Sequence, residues 1–273
     1  VSTMKVETLL DPGPVEPVDK SIPQTKFVTE QPLKVGLPQT PANNIPAEEL
    51  FLPSGIDPYD RRFGGLVLNS LNLFQTSDYE SGIAALGSFI TNGLINGERV
   101  TLASFQHPKH LLYKLSLYGF SDLDTYLENE QLVYLYYKPF FEKSLSLSLD
   151  YGRMFDEITK ISSCGIKRVA LDNCEALFNK QSHQLAKSSA IKLLLAAERR
   201  EFTTLGTFVN ERIDSDNDLD KVCSSTMTSF TKIDKQVVQQ KDLYRFLVEK
   251  SPNICFNNAM IIELKVGHGF VRV

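Results

Sequence analysis

Proline divides this chain before any other feature does. Ten of its 13 prolines fall early: Pro12, Pro14, Pro17, Pro23, Pro32, Pro38, Pro41, Pro46, Pro53 and Pro58. Proline fixes φ and removes a backbone donor, so neither a long helix nor a central strand fits that stretch. It is expected to be extended, with polyproline character. Apolar residues nevertheless recur along it at Val6, Leu9, Leu10, Phe27, Val28, Leu33, Val35, Leu37, Leu50, Phe51 and Leu52. A solvated linker is usually poorer in these. Residues 1–52 are therefore expected to form an arm lying against its own domain or a partner, with Phe27, Val35 and Phe51 as candidate interface side chains. Residues 53–273 carry the pattern of a folded domain.

Composition removes several functional classes. A hydrophobic content of 42% and an aromatic content of 10% suffice for a core. The net charge of -4 and pI near 5.7 give no whole-chain basic field, so DNA is not an expected partner. No apolar run approaches the ~20 residues that span a bilayer, so no direct membrane insertion is expected. The N-terminus has no basic segment followed by an apolar core, so no secretory signal is expected either. Cys164, Cys174, Cys223 and Cys255 form no C-x-x-C pair and have no His at zinc spacing. They read as reduced, partly buried thiols of a cytoplasmic protein.

The folded part alternates strand and helix patterns. A glycine turn after Arg61-Arg62 leads to an apolar strand through Leu68, Leu71 and Leu73, a loop, and a helix ending near Asn96-Gly97. Glu98–Phe105 predicts a strand, and His107–Phe120 a helix with Leu111, Leu112, Leu115 and Tyr118 at helical spacing. Asp122–Asn129 predicts a short helix and Gln131–Tyr137 a β-rich strand. Residues 146–162 show helical periodicity. Ile166–Leu171 predicts a buried strand, Gln184–Arg200 a helix and Phe202–Val209 a strand. Ser225–Ile233 and Ala259–Val266 predict two more strands, with a turn at Gly267-His268-Gly269. This order predicts an α/β fold: a mainly parallel sheet with helices on both faces and an antiparallel C-terminal edge.

Candidate chemistry is sparse. His107 and His110 have i, i+3 spacing but no third ligand nearby, so they read as a solvated turn and not a metal pair. Asp214–Asp220 tempts a calcium reading, yet Leu219 stands where the loop needs Gly and Ser225 where it needs Glu. That stretch reads as an acidic surface loop, and no metal is expected. Lys192 with Arg199-Arg200 reads as a solvated basic helix end. Tyr134, Tyr136, Tyr137, Phe140 and Phe141 form the densest aromatic cluster. Core packing is their default, and Tyr137, Phe140 and Phe141 would make an interface anchor if exposed together.

The order of the pieces resembles the RecA fold, in its KaiC-like branch. Gly55-Ile56-Asp57-Pro58-Tyr59-Asp60 and Gly64-Gly65-Leu66 resemble the family's opening G-I-x-x-x-D…G-G segment. Asn92-Gly93-Leu94-Ile95-Asn96-Gly97-Glu98-Arg99-Val100 resembles its N-G-x-x-x-G-E-x-V turn. Ser104-Phe105-Gln106 stands where the family has S-F-E, and Leu112 to Phe120 where a helix carries its L…G-F/W. Ile166–Asp172 resembles a Walker B strand ending at Asp172, and Ile261–Gly269 the closing K-x-R-G hairpin. The resemblance covers about residues 53–269 and implies a RecA-like domain.

The departures bear on activity. A Walker A loop needs glycines so that its amides wrap the phosphates, a lysine for the β/γ charge, and a Ser/Thr for magnesium. Here the loop is Phe74-Gln75-Thr76-Ser77-Asp78-Tyr79-Glu80-Ser81-Gly82, without lysine. Asp78 and Glu80 would repel a triphosphate, each by on the order of 1 kcal/mol or more. Gln106 replaces the carboxylate that positions water in such ATPases, and it cannot take a proton. The expectation is a pseudo-ATPase whose degenerate nucleotide loop (Gln75, Thr76, Ser77, Asp78, Glu80, Gly82) and Walker B-like Asp172 no longer catalyse, with no cofactor. It would serve as a scaffold or adaptor subunit bound to other protein subunits of a bacterial hetero-complex, a type IV secretion coupling complex being one such assembly. The alternative is a regulator that binds a nucleotide or cyclic dinucleotide without hydrolysing it.

Overall fold

The computed structural model describes residues 50–137, 140–141, 147–148, 157–158, 160–161, 165–172, 174, 183–209, 228–238, 241–252 and 258–272. All of these belong to one unit, Asn44–Val273. Phe27, Val35, the aspartate-rich stretch 214–220 and most of 146–162 lie outside the described residues.

A short ribbon precedes the main sheet. β1 (Phe51–Leu52) pairs antiparallel with β2 (Leu66–Val67), and α1 (Asp57–Phe63) lies between them. Phe51 is half-buried in that ribbon, inside the stretch that the proline pattern assigned to the arm.

β3 (Leu71–Thr76) is buried at every position, which places it in the middle of the main sheet. It runs parallel to β9 (Thr203–Val209) on one side and to β10 (Ser229–Val238) on the other. Beyond β9 lie β8 (Ile166–Leu171), β4 (Arg99–Ser104) and β5 (Leu132–Tyr136), all parallel. Beyond β10 the sheet turns antiparallel through β11 (Lys241–Lys250), β12 (Ala259–Lys265) and β13 (Gly269–Arg272). The order is β5-β4-β8-β9-β3-β10-β11-β12-β13. A separate ribbon joins β6 (Phe140–Phe141) and β7 (Leu147–Ser148).

Burial explains the change of direction. β3 and β9 are covered on both faces and read as near-continuous buried runs, as parallel strands joined by helical crossovers must. β11 instead alternates, with Tyr244, Phe246 and Val248 buried between more exposed neighbours. One face of this antiparallel part therefore faces solvent. The fold is thus α/β with a large, mostly parallel sheet, and helices are few.

α2 (Tyr79–Ile95) and α5 (His183–Arg200) serve opposite faces. Phe74, Leu102, Ala170 and Leu205 pack with Ile83, Leu86, Phe89 and Ile90 of α2 in one core cluster. The alternate residues Leu71, Leu73, Val169, Leu171 and Phe208 pack with Leu193 and Ala197 of α5 in the other. α3 (Pro108–Leu117) and α4 (Leu123–Glu128) join β4 to β5 on the α2 side, burying Leu111, Leu115 and Leu123.

The segments that carried the family resemblance turn out to be internal ties. Asp60 accepts hydrogen bonds from Ser54 N (2.8 Å), Ser54 Oγ (2.6 Å) and Gly55 N (3.0 Å), closing the loop before α1. Gly55 sits at φ 84°, and a Cβ there would lie 2.2 Å from Ser88 O of α2. Arg168 on β8 is 1% exposed. Its guanidinium donates to Pro53 O (2.7 Å), Asn92 Oδ1 (3.0 Å) and Glu98 Oε2, and lies 4.9 Å from the Phe89 ring centroid. Asn92, Gly93 and Glu98 of the Asn-Gly turn therefore hold a buried arginine.

Candidate functional site

In an open α/β sheet, ligands favour the carboxyl ends of strands where the connections reverse direction. That reversal flanks β3: the chain leaves it for β4 on one side, and later passes from β9 across it to β10 on the other. The turn from β3 into α2 stands at this place.

The turn is two residues long. Gln75 and Thr76 belong to β3, Ser77 and Asp78 form the turn, and Glu80 and Gly82 belong to α2. The nine-residue loop expected from the sequence is mostly regular structure, because the ends of the strand and helix are stitched directly together. Asp78 caps α2, its Oδ1 accepting from Ser81 N at 2.8 Å. Its other oxygen accepts from Tyr244 Oη at 3.0 Å. Ser77 N donates to Ile233 O (2.9 Å), and Ser77 Oγ accepts from Lys235 N (2.7 Å). The amide that a phosphate would use at the start of α2 is thus bonded to a carboxylate of the chain itself. Burial and the adjacent Asp78 push the Tyr244 phenol well above its usual range.

Gln75 and Gly82 lie on either side of the turn, in β3 and α2. Gln75 is fully buried and shares the α5 face with Leu71 and Leu73, away from the turn. Both polar atoms of its amide lack a hydrogen-bond partner among the described residues. Gly82 is helical, and a Cβ there would meet only ordinary contacts, the nearest being Thr76 Oγ1 at 3.5 Å. Thr76 Oγ1 itself donates to Phe208 O at 3.3 Å.

Asp172, just beyond β8, anchors the second half of the site. Its Oδ2 accepts from Ser104 Oγ (2.7 Å) and Gln106 Nε2 (2.6 Å). Gln106 Nε2 also donates to Tyr79 Oη, while Gln106 Oε1 accepts from Lys114 Nζ at 3.2 Å. The Lys114 ammonium lies 4.3 Å from the Tyr79 ring centroid. Tyr134 Oη donates to Gln106 O at 2.8 Å. Asp172 Oδ1 has no hydrogen-bond partner among the described residues. Burial raises the Asp172 pKa, opposed by its bonds from Ser104 and Gln106 and by Lys114. Burial and the nearby Asp172 likewise raise the Tyr79 phenol.

The sequence pattern pointed to Asp172 and to Gln106 with its neighbour Ser104, and gave no signal for Lys114. Lys114 lies eight positions beyond Gln106, and only the return of α3 over β4 joins them. Tyr79 was visible as a loop residue, without a partner. Chemically, the site joins a buried carboxylate to an ammonium through a glutamine amide. Among the described residues no three His, Cys, Asp or Glu side chains converge as metal ligands.

The aromatic candidates divide. Tyr137 is half-buried, 6.1 Å from Phe105 between ring centroids, and packs against the α5-side core. Phe140 and Phe141 form β6, and their side chains lie outside the described residues. The His107 and His110 rings lie 5.8 Å apart, tilted to one another, and His107 lies 5.6 Å from Tyr136. No described helix is long and apolar enough to cross a membrane.

No protein-family model and no curated protein matches the chain.

Proposed function

We propose that this chain is a non-catalytic, RecA-like pseudo-ATPase that serves as a scaffold or adaptor among other protein subunits. The observation carrying this reading is Asp78 seated on the α2 N-terminus, with its second oxygen held by Tyr244. A phosphate arriving there would have to displace a carboxylate from the amide it needs, against the charges of Asp78 and Glu80. The two-residue turn leaves no backbone to wrap a triphosphate. Gln106 supports the same reading, since both ends of its amide are engaged by Asp172, Tyr79 and Lys114.

A second reading, a regulator that holds a nucleotide or cyclic dinucleotide without hydrolysing it, draws on one observation. Asp172 Oδ1 is buried without a hydrogen-bond partner among the described residues, and a ligand donor could fill that place. Calorimetric titration of the purified chain with ATP, GTP and cyclic dinucleotides separates the two. The scaffold reading expects no saturable heat. Saturable binding that Asp172→Asn abolishes would replace it with the regulator.

A further inference from the structure

Arginines from three distant parts of the sequence line one groove. Arg61 and Arg62 of α1, Arg245 of β11 and Arg272 of β13 line an open groove of about 700 Å³. Met260 and Ile261 of β12 contribute apolar surface, and Ile261 is 50% exposed. Arg245 pairs across from Ile261 and Arg272 across from Ile262, consecutive positions on opposite faces of the sheet, so the lining wraps around the strands and takes in α1. Asp57 is the single carboxylate of this lining among the described residues, and it forms an exposed i, i+4 pair with Arg61 at 2.8 Å. Such a pair contributes little and yields readily to a better partner.

We propose that this groove docks an extended, acidic peptide segment of a partner protein, whose carboxylates meet the arginines while its apolar side chains meet Met260 and Ile261. Charge complementarity supports this choice. Four arginines line one open groove on a chain of net charge -4, so the local charge is opposite to the whole and favours acidic partners. Guanidinium groups favour the planar, bidentate recognition that carboxylates offer. The apolar stretch between them distinguishes the groove from a phosphate site. The lining is open, drawn from α1 and three strands, whereas a small-ligand site encloses most of its ligand. None of these residues belongs to the β3–α2 turn, so the inference stands whether or not that turn binds a nucleotide.

Fluorescence anisotropy with the full chain provides the test. The probe is a labelled dodecapeptide of alternating glutamate and leucine, with a glutamine-for-glutamate version as control. The acidic peptide is expected to bind saturably and to weaken as salt rises. Arg61→Glu and Arg272→Glu, both at exposed positions, should each weaken it about tenfold or more without changing the melting temperature. Inorganic tripolyphosphate should not compete. No saturable binding, equal binding of the glutamine peptide, or indifference to both charge reversals would overturn the proposal. Tight, competing tripolyphosphate would reassign the groove to a phosphorylated ligand.

Discussion

Gln106 Nε2 lies 2.6 Å from Asp172 Oδ2, so a side-chain amide just beyond β4 donates directly to a buried carboxylate just beyond β8. Replacing the amide donor by a second carboxylate, Gln106→Glu, sets two acidic groups at hydrogen-bond distance. The expected loss is about 1–3 kcal/mol at neutral pH, partly regained on acidification when the pair can share a proton. Thermal unfolding at pH 5 and pH 8 reads both effects. A variant as stable as the wild type at the higher pH would contradict the pairing.

The buried Asp172 should also leave a pH signature. Its folded-state pKa is raised above the ordinary value of 3.8, chiefly by burial. The native state then binds the proton more tightly than the unfolded chain does. Its contribution is full below the unfolded pKa and is lost as pH rises through the folded one. Asp60 is raised in the same direction, so only a comparison isolates Asp172. The stability of Asp172→Asn relative to wild type should climb from about pH 4 and level off above the folded-state pKa. Urea titrations over that range measure it, and a flat difference would count against the buried carboxylate.

Arg168 is the buried charge on which the other end of the sheet depends. Arg168→Met keeps much of the volume but takes from Pro53 O its guanidinium donor, leaves Asn92 Oδ1 with only the long bond from Asn96 Nδ2, and leaves Glu98 without its ion pair. Breaking a buried pair from one side costs about 3–5 kcal/mol. Denaturant unfolding should show a loss of that order, and Arg168→Lys should recover only part of it.

Two glycines of α2 should behave in opposite ways. A Cβ at Gly93 would lie 2.6 Å from Arg168 Cδ, inside the clamp, so Gly93→Ala is expected to cost about 1–3 kcal/mol. Gly82→Ala meets only ordinary contacts and gains helix propensity, so it should be neutral or stabilising by up to about 1 kcal/mol. Paired thermal melts decide. A large loss at Gly82 would revive a loop that needs glycine.

Removing the cap tests the turn directly. Asp78→Ala deprives Ser81 N and the Tyr244 hydroxyl of their acceptor, and the expected loss is about 1–2 kcal/mol. Tyr244→Phe should cost less, since it leaves the cap in place. Circular-dichroism melts of the two variants rank them, and the reverse order would show that the turn is held chiefly by the strand.

Sequence alone determined the features that repeat over a few residues. Alternating strand and helix periods gave the α/β class, the main parallel strands and α2, because apolar spacing is a local record of which face is buried. It also placed Asp172 at a strand end and showed that the turn before α2 has no lysine. β11 was missed although Tyr244, Phe246 and Val248 alternate, since the charged residues around them resemble a loop when the neighbouring strands are unknown. Only the tertiary structure decided what the named residues do. Gln106 meets Asp172 across 66 positions and Arg168 meets Asn92 across 76. Asp78 finds Tyr244 across 166 positions, and the four groove arginines come from three separate elements. Such pairings are set by strand order and register, and no local periodicity encodes which distant strand becomes a neighbour.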